Sequence, residues 1–366
     1  MKIVYFYRDY QVPMYQWQHV HIFDELNDHG CIVHIINPLE YGTKEEANEA
    51  LVEYIRKNKV DLFMTPHNEE DLYIDTIEDI KKWGIPTLLI CFDNLVVPFV
   101  HYSIAPHFDL VWLTANETKH LFDKRGCKTI FLPYAANPSL SRANFSTRGV
   151  GFVGTPYGSR ANMINAIVTN GIDVYCHCMN SDKLIPQGVE LPNNNKIGKT
   201  ELIVNFMRFK EGRKILKGAL INHFKQDAIL REYDTLHYEN TVPPSMLYQI
   251  YPKYSIALSS TSARNTGVLK KPLSIVNLRS FEIPMSGGVL MCQYTNEING
   301  YFKDGKEAIY YKSTDEMIDK LKFYINEKGE RELEKIRTAA REKAVNNHTW
   351  YLRFQKVFDS FGINNS

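Results

Sequence analysis

Short apolar runs and longer amphipathic stretches alternate along the first 135 residues. The apolar runs predict strands at 3–7, 31–36, 62–64, 87–91, 110–113 and 129–132. Between them, apolar residues recur every three or four positions, as in 18–29 and 45–58, which predicts helices with one buried face. Strands that alternate with helices require right-handed crossover connections, so this half of the chain is predicted to form a parallel, doubly wound α/β sheet.

A second alternating region follows a polar connector that is rich in proline and serine. It opens with the strand-like run 150–154, which ends in glycine, and further strands are predicted at 173–176, 255–258, 289–292 and 309–311. Helices are predicted at 315–327, 330–346 and 350–361, the first of them capped by Ser313 or Thr314. The pattern therefore predicts two α/β domains in one chain.

Composition narrows the class of protein. At 366 residues, with 44% hydrophobic and 12% aromatic residues, the chain is long and apolar enough for two folded domains. Its 43 Lys and Arg balance 42 Asp and Glu, and a net charge of +1 argues against a dedicated nucleic-acid binder. No apolar run approaches 18 residues, and the six cysteines are scattered through apolar runs. We therefore expect a cytoplasmic protein with reduced cysteines and no signal peptide.

The segment 199–231 interrupts the alternation with eight basic and three acidic residues among interleaved apolar side chains. A basic amphipathic helix of this kind can lie on an anionic membrane surface. A solvated helix pair packed on its own domain accounts for the same pattern and is the favoured interpretation. Peripheral contact with the membrane through 199–231 stays the alternative.

The segment 277–291 carries the strongest functional signal. Asn277, Arg279 and Glu282 lie in and before a short predicted helix, and the pair Gly287-Gly288 separates that helix from a buried strand. A helix N-terminus and Arg279 suit a phosphate, and a glutamate one turn later suits the paired hydroxyls of a ribose. A plain helix-to-strand connection with a glycine cap would look the same.

Four stretches of the C-terminal half resemble one enzyme family: 150–155 together with Arg160, 277–290, 302–311, and 348–353. They resemble the GT-B glycosyltransferases, specifically the spore-maturation-protein-like family related to the large group 1 family. The resemblance implies two Rossmann-like domains facing each other across a cleft. It also implies that the C-terminal domain holds a sugar nucleotide and the N-terminal domain holds the acceptor.

The resemblance and the alternating pattern together predict the domain boundaries. The acceptor domain is expected at 1–140 and the nucleotide-sugar domain at 149–346, with a helical insertion at about 199–234. The last segment, 347–366, is expected to form a helix that packs back on the N-terminal domain. In one respect the chain departs from the group 1 pattern, because Ser274 stands where that family has the first of two glutamates. The ribose-binding role of Glu282 carries over, and the donor-sugar contact does not.

The predicted substrate-binding residues all lie in the C-terminal domain. Gly154 ends the first strand there, where the backbone must approach a phosphate closely, and Arg160 can grip two oxygens of a pyrophosphate. The full predicted set is Gly154, Arg160, Asn277, Arg279, Phe281, Glu282, Gly287 and Gly288. Because the sequence contains no Asp-x-Asp triplet, we expect transfer without a metal ion and without any other cofactor.

Candidates for a catalytic base lie in the N-terminal half. Asp93 and His67 each follow a predicted strand, at the sheet edge where the cleft should be. His19 and His21 open the first predicted helix. For each of them a capping or turn role is an open alternative, and Asp93 is the first choice. No glycine follows the first strand, which argues against a nicotinamide or flavin site there.

The sequence therefore predicts a glycosyltransferase that uses a nucleotide-sugar donor, with UDP favoured as the most frequent nucleotide of the class. The acceptor is expected to be a glycan, a lipid-linked molecule or a small molecule. Frequent Lys, Asn, Ile and Tyr suggest an AT-rich bacterium, so bacterial surface-glycan synthesis is the expected role. The alternatives are a GT-B sugar-nucleotide epimerase and a non-catalytic scaffold of the same fold.

Overall fold

The computed structural model describes residues 1–140, 148–179, 198–224 and 230–363. They form two parallel sheets of six strands each, with strand orders β2-β1-β3-β4-β5-β6 and β12-β11-β10-β7-β8-β9. The first sheet contains β1 (Lys2–Phe6), β2 (Ile32–Ile36), β3 (Leu62–Thr65), β4 (Thr87–Cys91), β5 (Leu110–Leu113) and β6 (Thr129–Phe131). The second contains β7 (Arg148–Val153), β8 (Val174–Met179), β9 (Leu236–Asn240), β10 (Tyr254–Leu258), β11 (Leu290–Gln293) and β12 (Ile309–Tyr311). The predicted pair of parallel, doubly wound domains is confirmed.

Helices cover both faces of each sheet. The first half has α1 (Asp24–Asp28), α2 (Lys44–Lys57), α3 (Ile74–Lys82) and α4 (Lys119–Asp123), and a π-helical turn, His19–Phe23, precedes α1. The second half has α5 (Ser159–Val168), α6 (Lys199–Met207), α7 (Lys210–Phe224), α8 (Leu247–Ile250), α9 (Arg279–Met285), α10 (Asn296–Tyr301), α11 (Thr314–Tyr324), α12 (Glu327–Asn347) and α13 (Trp350–Phe361). Ser313 caps α11 by accepting a hydrogen bond from the N–H of Glu316, one of the two predicted caps.

The strands formed where the apolar runs predicted them, with one exception. β9 pairs with β8 at the edge of the second sheet, and the sequence pattern did not predict it. Its sequence Leu-His-Tyr-Glu-Asn has a single fully buried residue, Leu236, and Tyr238 is 43% exposed. An edge strand needs no continuous apolar run, because a single neighbouring strand supplies its hydrogen bonds and much of its surface faces water.

The last helix, α13, lies against the N-terminal domain. Trp350 and Phe354 pack on the indole of Trp112, at centroid distances of 5.8 and 5.1 Å. The carboxylate of Glu25 accepts hydrogen bonds from the backbone N–H groups of Trp350 and Tyr351, each at 3.0 Å. A buried carboxylate at a helix N-terminus satisfies N–H groups that the helix itself leaves without partners.

The helices α6 and α7 pack against both domains. Asn222 of α7 donates to the backbone carbonyl of Asn265 in the C-terminal domain, at 3.2 Å. Phe206 of α6 meets Phe99 of the N-terminal domain edge to face, with ring centroids 5.3 Å apart. The helix pair therefore packs on its own domain, as the sequence pattern favoured, and through Phe206 it also contacts the N-terminal domain. Within the described residues, no helix is both long and apolar enough to cross a lipid bilayer.

Candidate active site

A cavity of about 570 Å³ lies between the two domains, at the carboxyl ends of the strands of both sheets. Its N-terminal wall consists of Met14, Trp17, Gln18, Phe92, Asp93 and Tyr134. Its C-terminal wall consists of Val153, Gly154, Val242, Pro244, Leu247, Tyr251, Asn277, Leu278, Arg279 and Glu282. This is where parallel α/β sheets bind ligands, and the volume is within the usual range of small-molecule sites. The structure thus brings five of the residues predicted from the sequence into one cavity.

Arg279 lies beside Gly154 on the C-terminal wall, and Arg160, which does not line the cavity, is near enough to Arg279 for their charges to interact. Gly154 has a φ of 123°, and a side chain at this position would collide with the guanidinium of Arg279. Arg160, in the first turn of α5, donates to the carbonyl of Thr155 at 3.3 Å. Burial lowers the pKa of Arg160, and the positive charge of Arg279 lowers it further. Among the residues that the structure describes, no carboxylate forms an ion pair with either guanidinium. Two neighbouring cations without an anion are suited to bind a phosphate group.

The start of α9 differs from the sequence-based expectation of free N–H groups. The N–H groups of Ser280, Phe281 and Glu282 already donate to the carbonyls of Asn277 and Leu278, each at 3.0 Å. The amide of Asn277 tightens this turn, since its Oδ1 also accepts from the N–H of Ser280 at 3.3 Å. The expectation that this helix end offers unpaired donors to a phosphate is therefore wrong for these three residues, because a tight first turn uses them.

Glu282 lies at the floor of the cavity and is 4% exposed. Its Oε1 is 2.9 Å from Nε2 of His21 in the N-terminal domain, and its Oε2 accepts from the hydroxyl of Tyr251 at 3.4 Å. A carboxylate has about four acceptor positions, so each oxygen keeps one for a further donor. The arrangement is compatible with a bound hydroxyl group.

Asp93 follows β4 on the opposite wall, with a backbone φ of 56°. Non-glycine residues in this region are strained, and such strain clusters at functional sites. The side chain of Asp93 is exposed to the cavity, although protein atoms surround it closely on the other sides. Its Oδ1 accepts a hydrogen bond from the hydroxyl of Tyr134 at 3.3 Å. Burial raises the pKa of Asp93, while the hydrogen bond from Tyr134 and the charge of Arg264 oppose that rise. A carboxyl group with a raised pKa is suited to accept a proton.

Several solved structures are similar in fold to this chain over nearly its whole length. Anabaena HepE in complex with UDP-glucose is similar over 99% of both chains, with a TM-score of 0.55 and 9% identity. Sucrose-phosphate synthase from Thermosynechococcus elongatus is similar over 99% of both chains, with a TM-score of 0.55 and 11% identity. An alpha-glucosyltransferase in complex with UDP-glucose and DNA containing an abasic site is similar over 98% of both chains, with a TM-score of 0.62 and 10% identity. The chain has the GT-B fold of these glycosyltransferases.

The sequence of the C-terminal domain agrees with this GT-B assignment. Residues 205–359, somewhat less than half of the chain, match the model of a family described as glycosyl transferase-like. No curated protein matches the chain. The family match and the fold confirm the resemblance to GT-B glycosyltransferases that was inferred from the sequence.

His67, the second candidate base, does not line the cavity of this GT-B chain. Its Nε2 accepts from the backbone N–H of Arg8 at 2.9 Å, and its Nδ1 lies 3.1 Å from Oδ2 of Asp71. Burial would raise the pKa of Asp71, but the hydrogen bond from His67 and the charge of Arg8 outweigh burial and lower it. Because both ring nitrogens already have partners, the geometry favours Asp93 as the base.

Four predicted substrate-binding residues do not line the GT-B cleft: Arg160, described above, and Phe281, Gly287 and Gly288. Phe281 is fully buried, with its ring centroid 6.0 Å from that of Phe302. Gly287 ends α9 with a φ of 80°, and Gly288 is closely packed between Ile283 and Tyr251. Phe281, Gly287 and Gly288 build the helix-to-strand connection that presents their neighbours Arg279 and Glu282, and their contact with substrate stays a prediction.

Several cavity residues were not predicted from the sequence. Tyr251 and Tyr134 contact the two candidate carboxylates, and Trp17 contributes an aromatic wall. Val242 and Pro244 follow β9, the strand that the pattern did not predict. Recognition of that edge strand would have placed the turn after it at the same sheet edge as Gly154.

Proposed function

We propose that this chain transfers a sugar from a nucleoside-diphosphate sugar to an acceptor hydroxyl. The observation that supports the proposal is Arg279 beside Gly154, in the same cavity as Glu282 and Asp93, with Arg160 as a second cation near Arg279. Two GT-B proteins of similar fold are described as complexes with UDP-glucose, which favours a UDP-hexose as the donor. The donor would lie along the C-terminal wall and the acceptor along the N-terminal wall.

The proposed chemistry assigns one task to each group. The acceptor oxygen forms a bond to the anomeric carbon, the bond from that carbon to the diphosphate breaks, and the hydroxyl proton passes to Asp93. The guanidinium groups of Arg160 and Arg279 stabilise the negative charge that develops on the departing nucleoside diphosphate. Glu282 accepts hydrogen bonds from the ribose hydroxyls.

The acceptor and the location are proposed on separate observations. Aromatic side chains of Trp17, Phe92 and Tyr134 on the N-terminal wall suit a glycan, a lipid-linked saccharide or a small aglycone. The helices α6 and α7 expose five large apolar side chains next to basic ones: Ile203, Val204, Met207, Leu220 and Phe224. This surface supports peripheral contact of a cytoplasmic enzyme with an anionic membrane, in the synthesis of a bacterial surface glycan.

Titration calorimetry with UDP, GDP and ADP, followed by hydrolysis assays on the matching sugar nucleotides, tests the donor assignment. We expect UDP to bind, and Arg279→Gln to weaken UDP by roughly tenfold or more, because one charge-assisted contact is lost. Arg331→Gln, an exposed site on α12, is the matched control and should leave the affinity unchanged. Binding without any turnover would indicate a scaffold, and conversion of the sugar to its epimer would indicate an epimerase.

Transfer is expected to proceed without a divalent metal ion. The sequence has no Asp-x-Asp triplet, and Arg160 and Arg279 can supply the positive charge that a metal would bring to the diphosphate. Turnover should therefore be equal in buffer with an excess of chelator and in buffer with manganese. Activity that disappears in chelator and returns with manganese would contradict this proposal.

A further inference from the structure

His21 connects the N-terminal domain to the nucleotide side of the cavity. It lies in the middle of the π-helical turn His19–Phe23, and 1% of its side chain is exposed. Its Nε2 is 2.9 Å from Oε1 of Glu282, a residue 261 positions later in the chain. Single turns of π-helix are rare in proteins, and those that occur are often found at functional sites.

The hydrogen bonds of His21 determine which ring nitrogen carries the proton. The backbone N–H of Asn137 donates to Nδ1 at 3.2 Å, so Nδ1 is the acceptor. Nε2 therefore carries the hydrogen and donates it to Glu282. Asn137 is itself held in place, because its side-chain amide donates to the carbonyl of Val20 at 2.7 Å. The imidazole orientation is thus set by the segment that leaves the N-terminal domain.

The carboxylate of Glu282 is consequently held by donors from both domains. Tyr251 of the C-terminal domain is buried and approaches Oε2, and His21 of the N-terminal domain approaches Oε1. A buried carboxylate is stable only where hydrogen bonds replace its lost water, and those bonds then dictate where its remaining lone pairs point. Glu282 has no basic side chain of Lys or Arg within ion-pair distance among the described residues, so the donors His21 and Tyr251 define its orientation.

We infer that His21 is a positioning residue for nucleotide binding: it holds Glu282 so that the free lone pairs of the carboxylate face the ribose hydroxyls of the donor. This inference rests on the proposed function and adds a requirement to it. The nucleotide end of the donor would depend on the N-terminal domain as well as on the domain that carries the arginines.

The test measures UDP affinity by calorimetry for His21→Ala and His21→Gln in the full-length protein. We expect His21→Ala to weaken UDP roughly tenfold, the effect of about one lost charge-assisted contact, and His21→Gln to recover part of it through its amide donor. His19→Ala is the matched control. His19 lies in the same turn, but its Nε2 pairs with Asp9 at 2.8 Å and not with Glu282, so the affinity for UDP should not change.

A cycle of substitutions separates positioning from general stability. On a Glu282→Gln background, His21→Ala should change UDP affinity less than twofold, because the carboxylate it orients is gone. For 2′,3′-dideoxy-UDP, wild type and His21→Ala should bind equally, since the hydroxyls that Glu282 accepts from are absent. A lower melting temperature with unchanged UDP affinity, or effects of the two substitutions that simply add, would overturn the inference. A wild-type protein that binds no nucleoside diphosphate would overturn the proposed function together with the inference.

Discussion

Asp93→Asn is expected to reduce the turnover number by two or more orders of magnitude, the usual effect of removing a general base. The amide keeps the size of the side chain and tolerates the positive φ of 56°, but it cannot accept the proton of the acceptor hydroxyl. Donor affinity should barely change, because Asp93 lies on the wall opposite Arg279 and Glu282. Single-turnover kinetics with the cognate sugar nucleotide, together with UDP titration, measure the two quantities separately.

Asp319→Asn, at an exposed position of α11, is the matched control and should behave like the wild type. Unchanged turnover in Asp93→Asn would remove Asp93 as the base, and would favour His67 or a route that needs no protein base. The pH profile adds a second readout. Since burial raises the pKa of Asp93, the acidic limb of the activity profile should lie above the ordinary range of an aspartate.

The same substitution should increase stability at neutral pH. The pKa of Asp93 is higher in the folded protein than in the unfolded chain, so the folded state binds its proton more tightly. The contribution of this group to stability is therefore most favourable below the unfolded pKa and declines as the pH rises toward the folded pKa. Asp93→Asn should raise the melting temperature at pH 7 and leave it nearly unchanged at pH 3. Lower stability at pH 7 would show that the carboxylate serves the fold.

Trp350→Ala is expected to destabilise the protein by about 3–5 kcal/mol, the cost of removing a large aromatic side chain from a packed core. Trp350 is fully buried at the start of α13, and its ring centroid lies 5.8 Å from that of Trp112 and 6.2 Å from that of Trp17. Phe92 and Tyr134 of the cavity wall also pack against it, each at 6.2 Å. We therefore expect a weaker attachment of α13 and a higher KM for the acceptor in the same variant.

Urea unfolding followed by tryptophan fluorescence and circular dichroism measures this loss. Trp83→Ala is the control, because Trp83 ends α3 at the surface with 37% of its area exposed and should cost less than about 1 kcal/mol. Equal losses for the two substitutions would show that α13 contributes little to holding the domains together.

The amino-acid sequence by itself determined the two-domain α/β fold and most of its elements. Fully buried parallel strands such as β4 and β10 consist of continuous apolar residues, and α13 was predicted at the residues where it lies, 350–361. These features depend on local pattern, which any chain must satisfy to bury its strands. The edge strand β9 could not be found in the same way, because water covers much of its surface.

The candidate site was only partly accessible from the sequence. Gly154 stands at the end of a predicted strand, and Arg279 and Glu282 stand in the short helix of the segment 277–291. Strand ends and helices of this kind must face the cleft, so the sequence pattern identified all three residues. The sequence of the segment 277–291 could not show that Glu282 faces the cavity and its neighbour Phe281 faces the core. Both lie in one turn of α9, and only packing decides which side chain faces the core. Nor could the sequence pair His21 with Glu282 across 261 residues, because that contact exists only once the two domains meet. Local sequence determines which groups stand at a sheet edge, and tertiary packing decides which of them face one another.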